Sequence, residues 1–194
     1  MTQDMRNRTP FFIAGDRLMV DTPSYVVRPA DHELLDTIQA GAFCSVLAAR
    51  HMGKSSLMVR TANILQQQGI RTALIDLTTI GRIAVDEWYF GLLVQVQRQL
   101  QLANDFQEWW HGQHALSVSQ RFVDFLRAGV LPAIPGHIVF FIDDIDVMLQ
   151  LEFRDDFFAA IRALSHARAR DPIDNRLTFV LLGVATPSDL VITS

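Results

Sequence analysis

"VLAARHMGKSSLMVRTA", residues 46–62, is the stretch on which the reading of this chain turns. It passes from an apolar strand ending through a short loop into an amphipathic helix. Inside it, Gly53-Lys54-Ser55-Ser56 supplies the second half of the pattern G-x-x-x-x-G-K-[ST], a loop whose backbone N–H groups cradle phosphate at a helix N-terminus. Ala48 stands where the first glycine belongs. A methyl group is the smallest side chain that could intrude there, so the loop is expected to persist with a slightly altered exit from the strand. Lys54 is expected to reach the β- and γ-phosphates of a triphosphate, and the Ser55 hydroxyl to ligate magnesium. Gly53 lets the backbone approach the phosphate. Ala48, Ala49, Arg50, His51, Met52 and Ser56 complete the nucleotide-binding stretch, with the Arg50, His51 and Met52 side chains directed outward. A lone Gly-Lys-Ser arises easily by chance; the strand before it and the helix after it give this one weight.

A second segment supplies the acids that such a loop needs. "HIVFFIDDID", residues 137–146, is an apolar run ending in carboxylates. Asp143 is expected to hold magnesium together with Ser55, and Asp144 to orient the attacking water. Many ATPases carry glutamate at the second position, and aspartate is one methylene shorter. Because alignment dominates phosphoryl transfer, binding with slow hydrolysis is expected. Asp146 fits either the acidic cluster or a cap on the following helix.

Outward from these segments, hydrophobic runs alternate with helical periodicity. "ADHELLDTIQAG" reads as a helix stopping at Gly41, "FCSVLA" as a strand, and "KSSLMVRTANILQQQG" as a helix closed by Gly69. "IRTALIDL" reads as a strand, Ala84 to Trp110 as helical, "FRDDFFAAIRALSHARAR" as a helix halted at Asp171-Pro172, and "RLTFVLLGVAT" as a last strand. Residues 11–27 suggest a lead-in hairpin. The rhythm predicts an α/β fold: a parallel sheet covered by helices on both faces, its strands continuously apolar because both sides are buried. Residues 1–24 form the lead-in and 25–194 the core. Ligands of such sheets gather beyond the carboxyl ends of the strands, and the Gly53 loop, Asp76, Asp143-Asp144 and Thr186 all fall there. Trp109-Trp110, Phe122 and Phe125 are expected to pack under helices, since no basic residues interleave with them as in a base-stacking platform.

Composition narrows the class. The chain has 194 residues, 49% of them hydrophobic, with a net charge of −4 and a single cysteine, Cys44. That allows a full core, shows no bulk basic field for nucleic acid, and excludes an intramolecular disulfide. With no signal-like or membrane-length apolar run, the chain reads as soluble and cytoplasmic.

"PSYVVRPADHELL", "GAFCSVLAARHMGKSSLMVRTA", "GIRTALIDLTTIG", "FIDDID", "DDFFAAIR" and "RLTFVLLGVATPSDL" together resemble the bacterial AAA-like domain. This is a phosphate-loop NTPase group common in cyanobacteria and often fused to WD-repeat, TIR or sensor modules. The resemblance implies an additional-strand core of the AAA and STAND type that binds ATP with magnesium. It also implies that Thr186 is the polar sensor near the γ-phosphate and that Tyr25 to Arg28, including Arg28 itself, lies beside the adenine. Members commonly lack the first loop glycine. Their "FIDEID" is "FIDDID" here, and their pattern continues past "ATPSDL" into a fifth strand and a lid bearing arginines. The chain thus reads as a core without that lid, whether fragment, split product or minimal domain.

The resulting expectation is a magnesium-dependent ATP-binding domain acting as a nucleotide-controlled signalling switch or assembly motor with weak hydrolysis. Its partners would be ATP and a protein or fused effector or sensor domain, with a nucleotide-dependent homo-oligomer as a further state. A non-hydrolysing nucleotide- or protein-binding module is the alternative, and a helper ATPase acting on DNA the weaker third. Any arginine completing the site from within the chain is first sought at Arg168 or Arg170.

Overall fold

The computed structural model describes residues 25–103, 106–168 and 170–184. The expected lead-in hairpin and Thr186 lie outside these residues. Helix α1, Pro29–Gln39, precedes strand β1, Cys44–Leu47, which leads into α2, Lys54–Gln67, and β2, Arg71–Asp76. Then come α3, Val85–Leu100, α4, Gln107–Gly112, and α5, Val118–Asp124. A π-helical stretch, Phe125–Val130, carries α5 into the short α6, Leu131–Ala133. Strand β3, Ile138–Asp143, helix α7, Arg154–Ala167, and strand β4, Leu177–Gly183, follow.

The strands form one four-stranded sheet in the order β1-β4-β3-β2. Every pairing is parallel. Continuous apolar runs arise because alternate side chains serve opposite faces. In β3, Ile138, Phe140 and Ile142 join the core under α3, α5 and α7, whereas Val139 and Phe141 join the core under α1 and α2. All six β3 residues are buried as a result.

The first of these cores is rich in aromatics. Trp88 on α3 meets Phe157 on α7 edge-on at 5.5 Å, and Tyr89 lies 5.8 Å from Phe122 on α5. Arg121, itself buried, stacks 4.2 Å over the Trp110 ring, and the Trp110 indole N–H donates to Asp86 at 3.1 Å. Trp110, Phe122 and Phe125 are buried, so these aromatics form core rather than a base-stacking surface. Cys44 is half-buried, and burial pushes its thiol up to about 11.

Two local expectations are corrected. Ala84 to Trp110 is two helices, because Gln101 closes α3 in the left-handed region at φ +54. The acids after β3 open a 3-10 helix, Ile145–Gln150, whose N-cap position is Asp144 without a side-chain capping bond; Asp146 lies inside it, so of its two readings the cap falls away.

Helix α5 opens on a reciprocal cap in which Ser117 accepts from the Gln120 N–H while the Gln120 side chain accepts from the Ser117 N–H. Ser117→Ala is expected to cost about 1 kcal/mol, read from urea unfolding.

Candidate functional site

All four strands run in one direction, so β1, β2 and β3 deliver their following loops to one edge of the sheet. There β1 passes into residues 48–53 and then α2. The loop turns because two of its residues take left-handed conformations, His51 at φ +62 and Gly53 at φ +76. A side chain at 53 would also lie 3.3 Å from the Arg28 guanidinium, so glycine serves both the turn and the close contact. Ala48 keeps the strand exit in register: its N–H donates to the Gly183 carbonyl of β4 at 3.3 Å. The residues Ala49, Arg50, His51 and Met52 are exposed, Met52 with 59% of its surface.

Lys54 opens α2 and curls back over the loop. Its Nζ donates to the carbonyls of Ala48, at 2.9 Å, and Ala49, at 3.0 Å. The ammonium therefore sits within the curve that the loop describes. Ser55 follows, and its hydroxyl donates to Asp143 Oδ2 at 2.9 Å, joining residues 88 positions apart. Ser56 is buried beneath the helix start.

Asp143 ends β3, opposite Asp76 in the sheet register, and is 1% exposed. Its other oxygen accepts the Asp144 N–H at 3.0 Å. A buried carboxylate needs such donors or a cation to offset its desolvation. Hydroxyl and carboxylate oxygens this close fit magnesium, which takes one or two protein carboxylates plus phosphate oxygens and water. Among the described residues no cluster of three or more His, Cys, Asp or Glu side chains offers an all-protein cage. Asp144 turns the chain away from the sheet at φ +58.

The chain before α1 reaches the same loop. Arg28 Nη1 donates to the Met52 carbonyl at 2.8 Å, and its other terminal nitrogen lies 3.3 Å from the Tyr25 hydroxyl. Asp31 accepts from the Arg28 backbone N–H at 2.9 Å and from the Tyr25 hydroxyl. Burial, then the Asp31 hydrogen bond, raises the Tyr25 phenol above its ordinary value. The Arg60 guanidinium stacks 4.9 Å over the Tyr25 ring. Arg60 lies a turn and a half beyond Lys54, and only its neighbourhood to a basic helix start could have drawn attention to it.

Two further candidates have other local roles, Asp76 at the same sheet edge as Asp143 and Arg168 away from it. Asp76 accepts from the Thr78 N–H at 2.9 Å and so caps the 3-10 turn after β2. Arg168 packs 5.3 Å over Phe43 and donates to Asn175 at 3.3 Å, at the amino ends of β1 and β4. That is the opposite end of the strands from Lys54, so Arg168 cannot complete the site from within its own chain.

A parallel sheet with a glycine-turned loop, a lysine and serine at the next helix, and a buried aspartate on an inner strand defines a phosphate-loop NTPase fold. The family model described as "AAA-like domain" matches residues 14–189, and the chain belongs to that family of nucleotide-binding phosphate-loop domains. An uncharacterised WD repeat-containing protein of Synechocystis sp. (strain PCC 6803) is 44% identical over 188 residues. The match covers 94% of this chain and 16% of that relative, so the chain spans about a sixth of its length. Among solved structures, the Aeropyrum pernix ORC2 protein, determined in ADPNP–ADP complexes, aligns with a TM-score of 0.53. That alignment covers 82% of this chain and 41% of ORC2 at 18% identity, a likeness of fold. Among the described residues, no helix is long and apolar enough to cross a membrane.

Proposed function

We propose that this domain binds ATP with magnesium and uses the bound state to set contacts with the rest of a longer protein or with a partner. One observation carries the reading: the 2.9 Å hydrogen bond from Ser55 to Asp143, which unites the start of α2 with the end of β3. Magnesium held there would neutralise charge on the β- and γ-phosphates, its chemistry when bound. Lys54 exchanges the Ala48 and Ala49 carbonyls for phosphate oxygens, and the loop N–H groups donate to the remaining phosphate oxygens. Arg28 and Tyr25 stand beside the loop where base or ribose would extend. Asp144 is proposed to orient water, and Thr186 to meet the γ-phosphate. Titration calorimetry with ATP, in magnesium and in EDTA, tests the reading; equal or absent heats in both would reject it.

Asp143→Asn should weaken binding in magnesium by about tenfold while leaving affinity in EDTA nearly unchanged, since only the metal contact loses charge. Asp144→Asn should leave both affinities unchanged. Identical behaviour of the two variants would reject the division of roles.

The domain is proposed to signal by contact, since the relative that it matches carries WD repeats. A non-hydrolysing binding module is the second reading, favoured by Asp144, whose side chain is a methylene shorter than glutamate.

A further inference from the structure

The peptide unit joining Gly183 to Val184 touches both halves of the site. Its carbonyl accepts the Ala48 N–H at 3.3 Å, where β1 gives way to the phosphate loop. Its N–H, on Val184, donates to Asp146 Oδ1 at 3.2 Å. The C=O and N–H of a planar trans peptide point in opposite directions, so this one unit spans from the loop to the acid turn.

Asp146 here replaces a rung of the sheet. Strand β3 pairs with β4 as far as Ile142 opposite Leu181, and then Asp144 turns the chain out of the ladder. The Val184 N–H lies beyond that departure and finds a side-chain carboxylate in place of a strand carbonyl. Gly183 makes the approach possible. A Cβ there would lie 2.6 Å from Ile145 Cγ1 and 3.2 Å from Asp146 Oδ1.

We propose that Asp146 is a positioning residue which, through the Gly183–Val184 peptide, sets the separation between the phosphate loop and the acid pair. The magnesium-dependent share of nucleotide affinity follows from that separation. This rests on the reading of the site as a magnesium–nucleotide centre. Ser55 belongs to α2 and Asp143 to β3, and a cation demanding near-octahedral geometry at about 2.0–2.1 Å tolerates little slack between them. Asp146 touches neither metal nor nucleotide; it acts by holding β4 between the two strands that do.

The test compares wild type, Asp146→Ala, Asp146→Asn and Gly183→Ala in the 194-residue chain. ATP affinity is measured in magnesium and in EDTA, and hydrogen exchange of the Val184 amide is followed by NMR. Asp146→Ala is expected to lose Val184 protection and to shrink the magnesium-to-EDTA affinity ratio about tenfold, with EDTA affinity held. Asp146→Asn keeps a carbonyl acceptor and should retain both properties within about threefold. Gly183→Ala should reproduce the alanine signature from the other side of the contact, by pushing Ile145 and Asp146 away. Equal Val184 protection in wild type and Asp146→Ala would overturn the latch. Lost protection with an unchanged magnesium ratio would overturn the coupling. A wild-type chain that binds no ATP would reject the nucleotide reading and the metal consequence with it, while Val184 exchange would still decide the latch.

Discussion

Lys54→Ala will lower ATP affinity by at least about a hundredfold and leave the fold standing. The ammonium meets the Ala48 and Ala49 carbonyls in the curve of the loop, so its hydrogen bonds are to the loop itself and not to the core. Removing it deletes a point charge facing the phosphates, in a place where backbone N–H groups alone cannot balance a triphosphate. Unfolding by urea should shift by less than about 0.5 kcal/mol, as for other substitutions outside the core. Calorimetry showing equal affinity in wild type and variant would remove the phosphate loop from the account altogether.

ATP turnover by the 194-residue chain will be slower than roughly 0.01 per second, where ordinary enzymes work at about 1 per second or more. Two deficits combine. Asp144 reaches less far than glutamate, and poor alignment of the attacking water costs on the order of a hundredfold. An arginine stabilising the transferring phosphoryl group is worth about a thousandfold or more. Arg168 lies at the far ends of the strands, and Arg28 has one nitrogen engaged on the loop's Met52 carbonyl. Asp144→Glu should therefore raise the rate by at most about a hundredfold, since it repairs only the alignment deficit and leaves the larger one in place. Phosphate release measured at about 1 per second would overturn this expectation and call for an arginine from elsewhere in the chain or from a second copy.

Much of the fold was legible because burial on both faces writes itself into composition. "IVFFI" and "FVLL" are apolar throughout, and β3 and β4 fall on them. The loop at Gly53 was legible because its chemistry is local, with strand, turn and helix contiguous. What escaped depends on contacts between distant residues or on unmarked backbone. Nothing in "QLQLAND" marks Gln101 as left-handed, since neither glycine nor proline stands there, and α3 and α4 therefore merged. The π-helical turn at Phe125–Val130 carries no residue signature either. In sequence Asp146 stands between the acidic cluster and a helix cap because sequence reading ranks neighbours, whereas its acceptor role is decided 38 residues away at Val184. Arg168 resembled a candidate finger by charge alone; its location follows from packing on Phe43, which no spacing encodes.

The two faces of the sheet are unequally supported. The side under α3, α5 and α7 holds the interlocked aromatic rings, while α1 and α2 are seated on a smaller, mostly aliphatic layer. Opening free energies should therefore differ across the molecule, with the α1–α2 side as the weaker cooperative unit. That side carries Lys54, Ser55 and the Arg28–Met52 contact. A ligand gripping the start of α2 would tighten the layer that breathes most, and a protease probing residues 25–67 would sense it first. In such a molecule occupancy would register as a gain in local cohesion, before any hinge or domain rotation is invoked.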